Sequence, residues 1–349
     1  MATNNPDLRS LSLDDLKKSF TALGQPAYRA AQVYDWFWKL GAKRIDDMTN
    51  VPVALRELLK EKYSFHSIQQ DVLQESHDGT IKCRFVLHDG YKIESVLIPV
   101  KEDKRATACV SSQVGCSLTC SFCATGKMGR LRNLTAAEIY DQAFEMDKLS
   151  REKLGYPLTN IVYMGMGEPL LNYKEVMESI DHITSAGGMA WSPKRITVST
   201  AGISKMIRRL GDEKVKFNLA LSLHAADDIK RNEIMPINET NQLKSLMESL
   251  EHYYKETKGR ISFEYIALKG FNDTLEDADH LIKLCRGQFP VRVNVIEYNP
   301  VAGVPFHKSS EEQVDRFAKR VRDKGVMITV RRSRGKDIDA ACGQLANKS

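Results

Sequence analysis

The chain has 349 residues, of which 42% are apolar and 28% charged, with a net charge of +6; this is the make-up of a globular chain and excludes a disordered or low-complexity one. The longest apolar runs, such as "NIVYMGM", are too short to cross a bilayer, and the opening "MATNNPDLRSLSLDD" has no basic-then-apolar signal, so no membrane partner and a cytoplasmic location are expected. In that reducing compartment the seven cysteines do not suggest a disulfide framework, and clustered thiols read as metal-binding or catalytic, while the positive charge permits a nucleic-acid partner without requiring one.

From "LSLDDLKKSF" to "PVALRELLKEKY" the pattern predicts short helices, with Ser12 as a cap and Pro26 and Pro52 where first-turn prolines are tolerated. The runs "SIQQDVLQES", "TIKCRFVL" and "YKIESVLIPV" are β-rich and are separated twice by "HDG", whose Asp-Gly step is a hairpin signal. From about Ala106 the chain alternates. Strands are expected at "TACVSS", "NIVYMGM", "RITVST", "VKFNLALSL", "RISFEYIAL", "RVNVIEY" and "VMITVRR", with helices between most of them, capped for example by Thr135 with Glu138 and Asn172 with Glu175. This is the βα repeat of an α/β fold with a parallel sheet, partly or fully closed into a (β/α) barrel. Three parts follow: a helical accessory domain over 1–66, an antiparallel β extension over 67–105, and a barrel core with a C-terminal loop over 106–349.

Functional groups in such folds gather where strands run into the loops that follow them. Here those ends read "MGMGEP", "STAG", "SLHAAD" and "EYNP". Any one of them alone is ordinary turn chemistry. Four in one chain with a cysteine cluster point to a shared pocket. "GMGEP" is not a dinucleotide fingerprint, because it lacks the third glycine and the βαβ spacing.

The cluster is "CSLTCSFCATG", with Cys116, Cys120 and Cys123. Thiolates this close select zinc or an iron–sulfur centre. A structural zinc site needs a fourth ligand, for which Cys109 or a histidine is a candidate. Three inert buried thiols are the plain alternative. The third reading is a [4Fe–4S] cluster on three protein ligands with one iron left open. The Cys-x3-Cys-x2-Cys spacing resembles that of the radical S-adenosylmethionine (SAM) enzymes, in which SAM itself fills the open position through its amino and carboxylate groups.

Beyond that loop, "CVSSQVGCSLTCSFCATG", "MGMGEPLLN", "TVSTAGI", "LSLHAA", "MPIN", "YNP" and "DIDAACGQL", in this order, resemble the RlmN family, radical SAM methyltransferases acting on C2 of adenosine in 23S rRNA and certain tRNAs. The sister family Cfr, which methylates C8, shares the cysteine pattern, but Pro169 and the following "LLN" are more similar to the C2 enzymes. The resemblance implies two SAM molecules per turnover. One methylates Cys342; the other is reductively cleaved, and its 5′-deoxyadenosyl radical takes hydrogen from that methyl group, leaving a methylene radical that adds to C2. Glu94 matches the acceptor of the C2 proton. Cys109 matches the thiol that attacks Cys342, forming a disulfide and releasing the base. Gly167 and Glu168 are implied to meet the SAM amino group, with Ser199, Ser222, Leu223, His224 and Asn299 around the ribose and carboxylate. An electron donor such as flavodoxin or ferredoxin and a monomeric state are implied as well.

Without the resemblance each residue has a plainer reading: Glu94 as a solvated strand residue, Cys109 as a small buried hydrophobe, Cys342 as a loop cysteine and His224 as a satisfied strand-end histidine. Cys83 and Cys285 keep that plain reading. Lys127, Arg130 and Arg132 beside the cluster loop, and Arg331, Arg332, Arg334 and Lys336 in "VRRSRGK", are candidates for phosphate contacts, or simply solvated charge. Phe122 and Met128 stand ready to cover the cluster, or only to pack. A zinc-stabilised RNA-binding module without catalysis explains the three cysteines and the charge, but neither Cys342 nor the strand-end motifs.

Overall fold

In the computed structural model, which describes residues 5–347, the first part of the chain holds the α-helices Leu13–Ala22, Tyr28–Trp38 and Val53–Lys62. Ser12 caps the first, its hydroxyl accepting the Asp15 amide that a helix start leaves unpaired. Pro52 sits at the cap of the third. Their apolar faces bury Leu16, Phe20, Val33, Phe37, Trp38 and Leu59. Two contacts tie this unit to the rest: Arg9 grips Asp141 with bonds of 2.8 and 2.6 Å, and Trp38 stacks on His182 with ring centroids 3.7 Å apart. Both acceptors lie on helices of the barrel layer, Ala136–Leu154 and Tyr173–Thr184.

Twelve strands follow: β1 Gln69–Glu75, β2 Ile81–Val86, β3 Lys92–Val100, β4 Arg105–Cys109, β5 Gln113–Gly115, β6 Arg130–Asn133, β7 Asn160–Tyr163, β8 Ile196–Thr200, β9 Asn218–Ser222, β10 Ile261–Ala267, β11 Val291–Glu297 and β12 Met327–Arg331. Ten form one sheet in the order β1-β2-β3-β4-β7-β8-β9-β10-β11-β12. The pairs from β1 to β4 are antiparallel. From β4 to β12 every pair is parallel. Runs such as "NLALS" and "ISFEYIA" are apolar on both faces because helices cover one side and the barrel interior the other.

The sheet does not close on itself: β1 and β12 are its edges, so the barrel is partial. The segment after β12 spans the gap. Gly335 N donates to Asp78 at 2.8 Å, Ser76 Oγ to Asp337 at 2.5 Å, and Asn347 Nδ2 to the Lys92 carbonyl at 2.7 Å. This loop is therefore stitched to β1, β2 and β3 rather than left in solvent.

One local expectation is corrected, and one element is not foreseen from the sequence. The β5–β6 hairpin, which brackets the cysteine loop, has strands too short to carry a periodic signal. Asn172 does stand at the N-cap of Tyr173–Thr184, but its side chain makes no cap bond with Glu175 or the helix; its buried amide is taken instead by the carbonyls of Ser112 and Leu134, both at 2.8 Å. Thr135 and Glu138 do form the capping box.

Candidate active site at the strand ends

Cys116, Cys120 and Cys123 lie between β5 and β6, on a loop held by the Cys116 amide to Gly129 O and the Ser121 amide to Ile234 O. Leu118, Phe122, Ala225, Ile234 and Met235 pack about the three thiols. Burial pushes the Cys120 thiol up, and the neighbouring Cys123 and Cys116 push it further; burial likewise takes Cys116 to about 11, with Glu168 and Cys123 adding to the shift. Three thiols side by side in an apolar setting form a donor set that a soft cationic centre would complete. Among the described residues no three His, Cys, Asp or Glu side chains converge on one point closely enough for a single ion. A four-iron cluster gives each thiolate its own iron and asks for neighbouring rather than convergent thiols. The residues fit that group.

The strand-end segments gather beside this loop. Gly167 has φ +101°, and a Cβ there would fall 2.6 Å from Gln113 Cβ, so only glycine lets the "MGMGEP" turn lie against Gln113. Glu168 is buried: its Oε2 accepts the Ala201 amide at 2.7 Å and its Oε1 the Leu170 amide at 3.0 Å. Burial raises its pKa in spite of these bonds. Ser199 and Ser222 close the adjacent strands with hydroxyls 3.3 Å apart. Leu223 and His224 both donate their amides to Glu264 O. His224 turns the chain at φ +58°, and its Nδ1 accepts the Ile266 amide at 3.1 Å, so the ring is neutral; burial and Arg231 bring its pKa down to about 3. Asn299 Nδ2 donates to Ser333 Oγ at 2.9 Å and to Glu297 O at 3.2 Å. Phe122 meets the His224 ring edge-on at 4.9 Å.

The other three candidates come from β3, β4 and the segment after β12. Glu94, on β3, is 1% exposed. Its Oε2 accepts the amides of Ala346 and Asn347 at 2.9 and 3.2 Å, and Lys82 Nζ stands 3.4 Å from Oε1. Cys109 ends β4, paired with Val96 and Val162; burial, then nearby Cys342, drives its thiol pKa up. Cys342 is solvent-exposed as a residue, yet its thiol is shifted upward by burial and then by Glu264. Next to it Gly343 O accepts the Ala124 amide at 2.7 Å, so the residues following Cys123 and Cys342 are bonded to each other. All seven cysteines are free thiols, and the fold is held without a Cys109–Cys342 disulfide. Burial takes Cys83 and Cys285 to about 12, as inert core thiols.

The basic runs divide. Arg132 is spent on Asp89 at 2.5 Å and on both Glu138 oxygens at 2.8 Å. Arg332 and Lys336 hold Glu297 at 2.9 and 2.8 Å, and despite its burial these bonds bring that carboxyl down to about 2. Lys127, Arg130, Arg331 and Arg334 are exposed. The buried charges that escape the sequence reading include Lys82, Glu264 and Arg231. The first two carry a faint signal, a charge inside the apolar runs "IKCRFVL" and "ISFEYIAL". Arg231 has none, lying among the charges of "DIKRNEI".

Comparison with known proteins agrees with this geometry. Residues 110–285 match the model of the Radical SAM superfamily, and residues 6–64 that of the ribosomal RNA large subunit methyltransferase N-terminal domain. The chain is 55% identical to a probable dual-specificity RNA methyltransferase RlmN from Cytophaga hutchinsonii, over 98% of this chain and 93% of the relative. It is 51% identical to the protein of the same name from Flavobacterium johnsoniae, over 100% and 99% of the two chains. The crystal structure of a radical SAM methyltransferase from Sphaerobacter thermophilus superposes with a TM-score of 0.92 at 41% identity, covering 98% of this chain and 100% of that one. Membership of the superfamily implies a [4Fe–4S] cluster and SAM. The chain belongs to the RlmN family of radical SAM RNA methyltransferases.

Proposed function

We propose that the enzyme methylates C2 of an adenosine in 23S rRNA and in a subset of tRNAs, with Cys342 as the methyl carrier; the relatives' names state a dual specificity for RNA. Cys116, Cys120 and Cys123 would hold the cluster, and Gly167, Glu168, Ser199, Ser222, Leu223, His224 and Asn299 would bind SAM. When bound, cluster and SAM supply the methyl group and the one-electron chemistry that an unreactive amidine carbon such as adenine C2 requires. The chain supplies two thiols and a base. Cys342 Sγ bears the methyl carbon and, once that carbon is joined to C2, the bond to the base. Glu94 takes the C2 proton; its Oε1 faces Lys82 and its Oε2 is held by two amides, so the carboxylate is oriented. Cys109 Sγ, as the thiolate, then attacks Cys342 Sγ: a sulfur–sulfur bond forms, the Cys342 carbon–sulfur bond breaks with its electron pair going to the carbon, that carbon takes up a proton to become the methyl group, and the base leaves; an external thiol reductant returns the two cysteines to thiols before another turnover.

The observation that carries this reading is the bond between Ala124 N and Gly343 O at 2.7 Å, which supports a carrier thiol working beside the cluster loop. Two SAM molecules per turnover, a flavodoxin- or ferredoxin-type donor, a monomeric state and a division into 1–66, 67–105 and 106–349 complete the proposal. Among the described residues no helix is long and apolar enough to cross a membrane. The test is mass spectrometry of nucleosides from RNA treated with enzyme, SAM and reductant. 2-Methyladenosine is expected; 8-methyladenosine would place the activity with Cfr.

A further inference from the structure

Arg231 lies in the short helix Asp228–Ile234 that follows β9, and it is 0% exposed. Its guanidinium donates Nε to Leu223 O at 3.0 Å, Nη1 to Asn238 Oδ1 at 2.5 Å, and Nη2 to Ala201 O at 2.5 Å and Ser222 O at 3.2 Å. All four acceptors are neutral. A buried charge normally has a counter-ion, because leaving it alone in a low dielectric is costly. Arg9 obeys the rule: equally sealed from water, it grips Asp141 at 2.6 Å and its pKa is raised. Arg231 goes the other way. Burial draws it down to about 10, with Cys120 and then Asp228 pulling against that shift. Asp228 is itself engaged with Asn238 and the Leu243 amide, and the Glu168 carboxylate lies on the far side of the Ala201 peptide.

What faces the uncompensated cation is the cysteine loop. The helix that carries Arg231 ends in Ile234, whose carbonyl accepts the Ser121 amide at 3.0 Å, and Ile234 and Met235 pack against Cys116, Cys120 and Cys123. Three thiolates outweigh the doubly positive core of a four-iron cluster by one charge, so a filled site is anionic where the protein is cationic. We propose that Arg231 is the counter-charge of the cluster site, raising the reduction potential of a cluster held by Cys116, Cys120 and Cys123. The proposal rests on the cluster reading of those three cysteines. Reduction adds an electron to an assembly that is already negative, and a fixed cation behind the strand ends stabilises the reduced form most, since little water screens it.

The test compares Arg231→Gln, which removes the charge but keeps hydrogen-bond donors, with Arg231→Lys, which keeps the charge but loses the fork. Full-length protein is purified anaerobically, its iron is counted, and the cluster is titrated against redox mediators with EPR detection. In Arg231→Gln the ratio of reduced to oxidised cluster at a fixed poise should fall about tenfold, equivalent to about 59 mV for a one-electron couple; Arg231→Lys should titrate near the parent. Equal potentials in all three proteins, or equal shifts in both variants, overturn the proposal and leave Arg231 as a structural tie. If Arg231→Gln fails to retain iron, the comparison is made on iron content: retention in Arg231→Lys supports the counter-charge and loss in both overturns it. A parent protein without about four irons per chain refutes the cluster reading itself, an outcome distinct from a loaded cluster whose potential ignores the charge.

Discussion

Lys82 and Glu94 face each other across β2 and β3 with 3.4 Å between Nζ and Oε1, and both side chains are closed to water. Lys82 also reaches Asp339 O at 3.4 Å, so it joins the carboxylate to the loop that bears Cys342. Replacing Lys82 by Met should destabilise the fold by about 3 kcal/mol, because it strands a buried carboxylate. Adding Glu94→Gln should recover part of that loss. Denaturant titration of the two single variants and the double variant measures the coupling; strictly additive effects would mean the pair does not interact.

Glu94→Gln alone removes the proposed proton acceptor and keeps its size. Iron content and reductive SAM cleavage should persist while methylated RNA falls at least tenfold. Quantifying both products in one assay checks it, and undiminished RNA methylation would move the proton elsewhere.

Each of Cys116→Ala, Cys120→Ala and Cys123→Ala should lose both iron and activity, since two thiolates cannot hold a four-iron centre with an open position. Iron analysis after anaerobic reconstitution decides this. Full activity in any one of them would reject the ligand set.

The two lone thiols should differ in kind. Cys342→Ala has no carrier and should bind RNA without becoming attached to it. Cys109→Ala loads the carrier and joins it to the base but lacks the thiolate that breaks the bond, so a protein–RNA adduct should accumulate. On denaturing gels it should require SAM and reductant and vanish in the double variant. Two cysteines that merely pack would give only modest stability losses.

His182 is stacked on Trp38 and held neutral, its pKa brought down to about 4 by burial and then by Arg9; Glu178 at 3.8 Å, half exposed, does not reverse this. Tyr34 and Tyr140 are its other ring neighbours. An unfolded chain takes up this proton near pH 6.5 and the fold does not, so stability should rise with pH from about 4 to 6.5 and fall by about 3 kcal/mol as pH drops through that window. His182→Phe should flatten that slope. Thermal melts across pH 4–8 test it; an unaltered slope would assign the dependence to another group.

The sequence is most readable where one pattern has one structural solution. β7 to β11 appear as apolar runs because both their faces are covered, and the cysteine loop appears because its spacing has few uses. Illegible features are those in which a long-range partner overrides local preference. Asn172 looks like a cap until Ser112 and Leu134 claim its amide. Arg132 looks like a phosphate contact until Asp89 and Glu138 claim its guanidinium. Arg231 looks like any helical arginine, since only the fold reveals that its partners are carbonyls.

The loop stitched across the open side of the barrel also bears on the order of assembly. Its bonds join residues very far apart in the chain: Asp337 and Ser76 are separated by 261 positions, Gly335 and Asp78 by 257, and Ala346 and Glu94 by 252. Contacts of such separation are the slowest to form and come after the structure between them exists. On that ground the sheet and the cysteine loop can form while Cys342 is still unplaced and Glu94 lacks two of its donors. A protease cut between Arg331 and Gly335 would sever the sheet's own chain from the segment that carries Cys342 and the two amides that hold Glu94.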